Sequence, residues 1–272
     1  MTTKQRVTRP PFKCHGGKYF LNQWIIENMP EGYEKLDYLE PFCGAASVLI
    51  NKTISEQKEI INDLDKRVVA IMKTLRDEPE VFIKKIKNTT YSERVFEREL
   101  ARKDENYDND FDLAFNEFVL RRMSRGGLKK SFAWSNRERG GQPGDVNAWK
   151  TIPNELTKIS ERLSKVFIFN KNATEVIDAF NYEGILLYCD PPYVPDTRTS
   201  PNLYDCELST DGHIALATSL NKFKGKVILS GYQSTLYKRL YANWRCIKKT
   251  IANHSSQSKE KSMKVECLWL NY

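Results

Sequence analysis

The chain has 272 residues, of which 40% are hydrophobic and 29% are charged, and its formal net charge is +8 at pH 7. A chain of this length can bury a core as one large domain or as two small ones. Its apolar runs fall well short of the ~20 residues that a membrane helix needs, and residues 1–6 lead into no apolar stretch of the signal-peptide kind. We therefore expect a cytoplasmic protein rather than a membrane or secreted one.

Six cysteines are scattered along the chain without a C-x-x-C pair, and the three histidines lie at no zinc-ligand spacing from a cysteine. Structural and catalytic zinc sites combine such residues at short, regular spacings. We expect reduced thiols and no metal cofactor.

The first 76 residues predict the start of an α/β sheet. The predicted elements are a helix over 20–29, a strand over 36–39, a helix over 48–53, a strand over 59–62 and a helix over 66–76. Such an alternation implies parallel strands that are joined by a right-handed crossover.

Residues 77–163 differ from this pattern because they are charged and mostly helical. Apolar residues between 111 and 119 predict one amphipathic helix face, and the stretch 124–147 fits neither a helical nor a strand period. Strands over 166–169, 185–189, 226–230 and 264–270 then alternate with helices over 173–181, 210–221 and 234–241. We predict an α/β catalytic domain, 1–76 and 164–272, that is interrupted by an inserted domain at 77–163.

Two segments near the N-terminus are typical of nucleotide binding. In K-C-H-G-G-K at 13–18, paired glycines let the backbone approach an anion, with Lys18 as the counter-charge; an ordinary surface turn is the alternative. In F-C-G-A-A at 42–46, small residues follow a strand and would let a ligand lie against the backbone. Asp63, at the end of the next strand, is placed to accept hydrogen bonds from ribose hydroxyls.

The segment D-P-P-Y at 190–193 directly follows the apolar strand 185–189. Open α/β sheets place their sites at the carboxyl ends of strands. The two prolines fix the backbone, so the Asp190 carboxylate and the Pro191 carbonyl can act as two rigid acceptors beside the ring of Tyr193. Two acceptors and a stacking ring suit a planar, amino-substituted base.

The basic segment, residues 121–141, carries seven basic residues and a single acid, Glu138. A charge run is usually a solvated face, but this one is interleaved with glycines and aromatic residues and has one acid to pair with. Arginine and lysine in such a setting can follow phosphates and read guanine edges. The predicted DNA-binding residues are Arg122, Arg125, Lys129, Lys130, Arg137 and Arg139.

Taken together and in this order, the segments resemble the Dam-like, D12-class (alpha-group) N6-adenine DNA methyltransferases. The matching segments are K-x-x-G-G-K at 13–18, E-P-F-C-G-A-A-S at 40–47, I-N-D-L-D at 61–65, D-P-P-Y at 190–193, L-S-G-Y at 229–232 and V-E-C-L-W-L-N-Y at 265–272. The resemblance covers nearly the whole chain, and its specificity lies in the ordered set.

This resemblance implies a Rossmann-like, S-adenosylmethionine-dependent methyltransferase sheet with a helical target-recognition insertion. It implies S-adenosylmethionine as methyl donor, without a metal, and double-stranded DNA as substrate. The implied catalytic residues are Asp190, Pro191, Pro192 and Tyr193. The implied cofactor-binding residues are Cys14, Gly17, Lys18, Phe42, Gly44, Asp63 and Asp190, with Lys18 at the methionine carboxylate and Asp63 at the ribose.

Two positions depart from the family pattern. Ala46 stands where the family commonly has a second glycine; an alanine fits such a turn if its φ is negative, so we expect a functional turn with slightly less room. Cys14 stands where many relatives have an aromatic residue.

The mechanism implied is a direct transfer. Adenine N6 is a poor nucleophile, and hydrogen bonds to Asp190 and to the Pro191 carbonyl would localise its lone pair and stabilise the developing positive charge. The target must be turned out of the duplex, where Tyr193 would stack on it.

Alternatives remain open. They are N4-cytosine methylation, a catalytically inactive DNA-binding relative, and methylation of RNA or a small molecule. Some enzymes of this kind belong to restriction–modification systems, but the sequence alone does not identify a partner endonuclease.

Overall fold

The computed structural model describes residues 8–14, 16–135, 137–139, 141–194, 206–252 and 263–272. The chain divides into two compact units. The first consists of Met1–Ile26, Gly44–Thr53 and Asp65–Asn170, and the second of Glu27–Cys43, Ile54–Leu64 and Lys171–Tyr272. The predicted domain boundaries, which set 77–163 apart, differ from this division and stay a prediction.

The described residues form α-helices in both units. They are α1 (Asn22–Glu27), α2 (Ser47–Asn51), α3 (Lys66–Asp77), α4 (Pro79–Lys87), α5 (Glu93–Ala101), α6 (Asp110–Met123), α7 (Gly144–Leu163), α8 (Ala173–Ala179), α9 (Thr210–Asn221) and α10 (Thr235–Leu240). Among the residues described, no helix has the length and apolar content that crossing a bilayer requires.

The strands are β1 (Asp37–Glu40), β2 (Glu59–Asn62), β3 (Glu138–Arg139), β4 (Gln142–Pro143), β5 (Val166–Phe169), β6 (Ile185–Cys189), β7 (Lys226–Tyr232), β8 (Arg245–Ala252) and β9 (Met263–Leu270). The main sheet has the order β5-β2-β1-β6-β7-β9-β8. Within it, β1 pairs parallel with β2 and β6, and β6 with β7, whereas β9 runs antiparallel to β7 and β8. The predicted α/β class, with a mostly parallel sheet, is confirmed.

The central strands are buried along most of their length because both faces of a parallel sheet are covered. Every residue of β6 is buried, and so is every residue of β2. The structure reproduces the predicted bounds of β2, β5, β6 and α9 to the residue.

Helix α6 is buried more completely than predicted. All residues from Leu113 to Arg121 are buried, together with Met123, because α6 packs against both α3 and α5 of the same unit. A helix that is buried on nearly all sides shows no single apolar stripe, so the prediction of one amphipathic face was wrong. Asn109 begins the helix by accepting a hydrogen bond from the Asp112 backbone N–H at 2.8 Å.

Candidate active site

Three predicted site residues lie at one edge of the sheet in the second unit. Strands β2, β1 and β6 are adjacent and parallel, so their carboxyl ends point the same way. Asp63 directly follows β2, Phe42 lies two residues beyond β1, and Asp190 directly follows β6. All three are half-buried. This is the edge at which open α/β sheets bind their ligands.

Asn62, the last residue of β2, forms hydrogen bonds with two other segments at this edge. Its side-chain amide donates hydrogen bonds to the carbonyls of Pro41 and Lys171 at 2.9 and 3.0 Å, and its side-chain oxygen accepts one from the Lys171 N–H at 2.9 Å. The Cys43 N–H donates to the Asn62 carbonyl at 2.9 Å. The turn after β1 is therefore held against the end of β2. The sequence analysis missed Asn62, although an asparagine that ends an apolar strand is a visible signal.

The tetrapeptide Asp190–Tyr193 ends in a buried tyrosine. Tyr193 is 6% exposed, and its hydroxyl donates a hydrogen bond to the carboxylate of Glu266, a residue of β9 that is itself 2% exposed. The Tyr193 ring stands edge-on to that of Tyr232, with 4.6 Å between centroids and 75° between planes. Burial, and then the charges of Glu266 and Asp190, raise the pKa of Tyr193 far above its usual value, so the phenol remains a donor.

Glu266 is the second residue that the sequence analysis did not single out. An acid within the apolar stretch V-E-C-L-W-L is the signal that points to it, because a buried carboxylate needs a specific donor.

The L-S-G-Y segment at 229–232 supports the same edge. Tyr188 and Ser230 share a buried hydrogen bond of 2.9 Å between β6 and β7. A Cβ at Gly231 would lie 2.9 Å from the ring of Tyr237, so glycine is needed there for close packing.

A cavity of about 560 Å³ opens next to the tetrapeptide. Its lining combines aromatic, polar and cationic side chains. The lining residues are Val194, Tyr232, Gln233, Ser234, Thr235, Leu236, Lys238, Lys264 and Val265. Lys264 also lies over the Tyr232 ring, 5.0 Å from its centroid. The cavity is within the usual size range of small-ligand sites.

In the first unit, a tight turn brings Gly17 against Cys14. The Gly17 N–H donates to the Cys14 carbonyl at 3.1 Å, and a Cβ at Gly17 would lie only 3.1 Å from that oxygen. Lys18 is 7% exposed, and its ammonium donates to the Gly16 carbonyl at 2.9 Å. Glycine at 17 and a buried cation at 18 are therefore built into this turn.

The turn 44–46 precedes α2, and two of its residues have a left-handed φ. Gly44 has φ +48°, and Ala46 has φ +50°. The condition of a negative φ at Ala46 is therefore not met, and the alanine occupies a region that normally favours glycine. A Cβ at Gly44 would lie 3.3 Å from the Cys14 sulfur, so the structure brings Cys14 against the Gly44 turn within this unit.

The basic segment divides into exposed and internal cations. Arg125, Lys130 and Arg137 are exposed. Arg122 is half-buried, and burial together with the charge of Arg9 lowers its pKa to about 10. Arg139 belongs to the β3 backbone, and its side chain lies outside the described part of the structure.

Two cations of the basic segment are paired with acids outside it. Arg121 contacts the carboxylates of Asp65 at 3.0 Å and Glu117 at 2.6 Å, and Lys129 contacts Glu117 at 2.9 Å. The argument that Glu138 is the one acid available to this segment was therefore wrong. Lys129 stays a predicted DNA contact, but its ammonium is already engaged inside the unit.

Comparisons with known proteins agree with the family resemblance. The D12 class N6 adenine-specific DNA methyltransferase family matches residues 15–257. The chain is 25% identical over 244 residues to a DNA adenine methylase of Vibrio cholerae, which covers 84% of this chain and 83% of that one. It is 26% identical over 289 residues to the Type II methyltransferase M1.LlaDCHI of Lactococcus lactis subsp. cremoris, with 99% and 98% covered. It is 25% identical over 288 residues to the Type II methyltransferase M.MjaIII of Methanocaldococcus jannaschii, with 97% and 99% covered.

Proposed function

The chain belongs to the D12 class N6 adenine-specific DNA methyltransferase family, and we propose that it methylates N6 of an adenine turned out of a DNA duplex, with S-adenosylmethionine as donor. Site-specific methylation of adenine in DNA is the activity of the family. The observation that supports the proposed site is the position of Asp190, directly after β6 and at the same sheet edge as Asp63.

Asp190 and the Pro191 carbonyl are the proposed acceptors for the adenine amino group. The adenine amino nitrogen delocalises its lone pair into the ring, and two fixed acceptors would draw that lone pair back onto nitrogen. They would also stabilise the positive charge that develops on nitrogen. A preorganised partner of this kind contributes about 10²–10³ in rate. The two prolines that follow Asp190 restrict the backbone and limit its reorganisation.

The predicted cofactor-binding residues of each unit fit S-adenosylmethionine, which would supply an electrophilic methyl group. On the second unit, Asp63 offers two carboxylate oxygens for the ribose hydroxyls. On the first unit, the buried ammonium of Lys18 suits the methionine carboxylate, and Gly17 and Gly44 leave the backbone without a Cβ at their turns. The chemistry of this donor set therefore matches the polar groups of the co-substrate.

The cavity of about 560 Å³ beside the tetrapeptide is the proposed place for the extruded adenine. Its size accommodates a purine nucleotide. Tyr232 would form an aromatic wall, and Lys238 and Lys264 suit the flanking phosphates. Extrusion costs a few kcal/mol in lost stacking and pairing, which the contacts in this cavity would offset.

The basic segment is the proposed DNA-contacting surface. Its exposed cations Arg125, Lys130 and Arg137 suit phosphates or guanine edges, and Arg122 and Arg139 are kept as further candidates. A cytoplasmic location is part of the same proposal, supported by cysteines that are present as thiols.

Substitution of Asp190 tests the proposed site. We expect Asp190→Ala to lower the rate of methyl transfer by about 10² or more, with the melting temperature and DNA affinity retained. Asp178→Ala, on an exposed position of α8, is the control. Transfer is followed with radiolabelled S-adenosylmethionine on unmethylated genomic DNA, and the modified base is identified by mass spectrometry.

The outcomes separate the alternatives. N6-methyladenine formed by the wild type supports the proposal, whereas N4-methylcytosine would support the cytosine alternative. DNA binding without transfer would indicate an inactive relative. Unchanged turnover of Asp190→Ala would remove Asp190 from the mechanism.

A further inference from the structure

Arg121 is a buried cation on α6 that contacts two distant segments of the first unit and an acid of its own helix. Its side chain is 6% exposed, and its guanidinium contacts the carboxylates of Asp65 at 3.0 Å and Glu117 at 2.6 Å. A third nitrogen points at the Cys14 sulfur at 3.9 Å. The same guanidinium lies 5.5 Å from the centre of the Phe12 ring. A guanidinium has five donors in a fixed plane, so it can hold several partners at once.

A second set of bonds links the same segments. The Lys13 ammonium donates to the Ser124 carbonyl at 3.0 Å, and the Lys129 N–H donates to the Ser124 hydroxyl at 3.0 Å. The Lys129 ammonium donates in turn to Glu117 at 2.9 Å. A Cβ at Gly127 would lie 2.5 Å from the Lys13 carbonyl oxygen, so the two backbones are in direct contact there. The bonds through Arg121 and through Ser124 together form a closed network.

One side of this network consists of the proposed cofactor segments. Cys14 belongs to the K-C-H-G-G-K turn and touches the Gly44 turn through its sulfur. Asp65 lies two residues beyond Asp63 and begins α3 by accepting a hydrogen bond from the Arg67 N–H at 2.9 Å. Displacement of Arg121 would therefore release the turn that holds Cys14 and the start of α3 at Asp65.

The other side of the network is the basic segment. Ser124 and Lys129 flank the turn that carries Arg125, and Lys130 follows directly. Arg125 and Lys130 are exposed, while Ser124 is fully buried. Arg125 and Lys130 are thus exposed beside Ser124, whose carbonyl accepts a hydrogen bond from Lys13 of the segment 13–18.

We propose that Arg121 is a positioning residue that couples the cofactor segments to the basic segment, so that S-adenosylmethionine and DNA raise each other's affinity. The inference rests on the proposed function, since it needs both ligands. Because one closed network holds both sides, a ligand that fixes one side would lower the cost of fixing the other side for the second ligand. Such coupling is reciprocal, so either ligand can be used to measure it.

The coupling is measured as a ratio of affinities. Calorimetry on the full chain gives the affinity for S-adenosylhomocysteine, which has no methyl group to transfer, with and without saturating fragments of unmethylated genomic DNA. We expect the wild type to bind S-adenosylhomocysteine about five-fold more tightly, or better, when DNA is present. This factor is at the lower end of typical coupling. In Arg121→Lys, the ammonium keeps the charge but cannot reach all three partners, and we expect the ratio to fall to about one.

Asp65→Asn gives an independent test from the other partner. Asparagine retains the oxygen that caps α3 but loses the charge that pairs with Arg121, so the ratio should again fall to about one. Lys85→Gln is the matched control, because Lys85 forms an ion pair with Asp112 at 3.0 Å elsewhere in the same unit. Its ratio should equal that of the wild type. The melting temperature checks folding, and Asp65→Asn decides the matter if Arg121→Lys does not fold.

The failures of the two proposals are distinguishable. If the wild type methylates adenine but binds the two ligands independently, the coupling is refuted and the proposed function stands. If Arg121→Lys or Asp65→Asn folds and keeps the wild-type ratio, the role of Arg121 is likewise refuted. If the wild type neither binds S-adenosylhomocysteine nor methylates DNA, the proposed function itself is wrong.

Discussion

Replacement of Ala46 by glycine tests the strain in the turn before α2. Ala46 has φ +50° and ψ +38° and is fully buried. A non-glycine residue in this left-handed region costs about 1–2 kcal/mol, and glycine relieves that cost. Against this, the lost methyl group removes about 0.8 kcal/mol of apolar burial, and the extra freedom of unfolded glycine costs about 0.4–1 kcal/mol. We therefore expect Ala46→Gly to leave the free energy of unfolding within about 1 kcal/mol of the wild type.

Ala45 is the matched control for this substitution. It is 4% exposed and adjoins Ala46, but its φ is not positive. Ala45→Gly loses the same methyl burial and gains the same unfolded-state freedom with no relief of strain, so it should lose about 1–2 kcal/mol. Urea unfolding of both variants gives the comparison. If Ala46→Gly loses as much stability as Ala45→Gly, the left-handed alanine is not strained and the reasoning fails.

Three further predictions address the ligands. S-adenosylhomocysteine binding should be unchanged by a chelator in calorimetry, and its loss on chelation would reveal a metal requirement. Tyr193→Phe and Glu266→Leu should each lower the rate constant of transfer more than they raise KM. The double variant should resemble either single one, because each single change already removes the same hydrogen bond; additive losses would argue that the two residues act separately. Neutralising Arg125, Lys130 and Arg137 one at a time should weaken binding to all duplexes where the contact is a phosphate, and should relax preference at one base pair, by roughly 1–3 kcal/mol, where it is a base edge. Affinities on several duplexes across a salt series that stay unchanged would place the DNA-binding surface elsewhere.

The sheet was predictable because each central strand is marked by a short, local pattern of residues in the sequence. Strand β6 is a short apolar run and β2 carries two isoleucines between polar residues, and such buried segments have sharp ends in the sequence. Asp190 and Asp63 stand directly after these ends, so their position at one sheet edge followed from the parallel direction of the strands. This part of the site needed no knowledge of side-chain contacts.

The local backbone and the side-chain partners were not predictable in the same way. The φ of Ala46 is imposed by the turn into α2, and alanine gives no sequence signal of a left-handed conformation. The hairpin of β3 and β4 has two residues per strand, too few for an alternating pattern to appear. Glu266 meets Tyr193 across 73 residues, a pairing that only the register of the sheet creates.

In the basic segment, counting charges within a sequence window overstates the number of cations that can contact DNA. Glu117 lies four residues before Arg121 on α6, the spacing at which acid and base meet on one helix face, and it also binds Lys129 after the turn. Internal pairing of these two cations leaves at most five of the seven basic residues as phosphate contacts, of which Arg122 is half-buried and the Arg139 side chain lies outside the described residues. The five would contribute a slope of about −4.5 in log K against log salt, whereas seven would give about −6. Neutralising the whole segment should therefore reduce the magnitude of the salt slope by about 4.5 for a surface of five cations and by about 6 for one of seven. A reduction near 6 would show that DNA breaks the internal ion pairs when it binds.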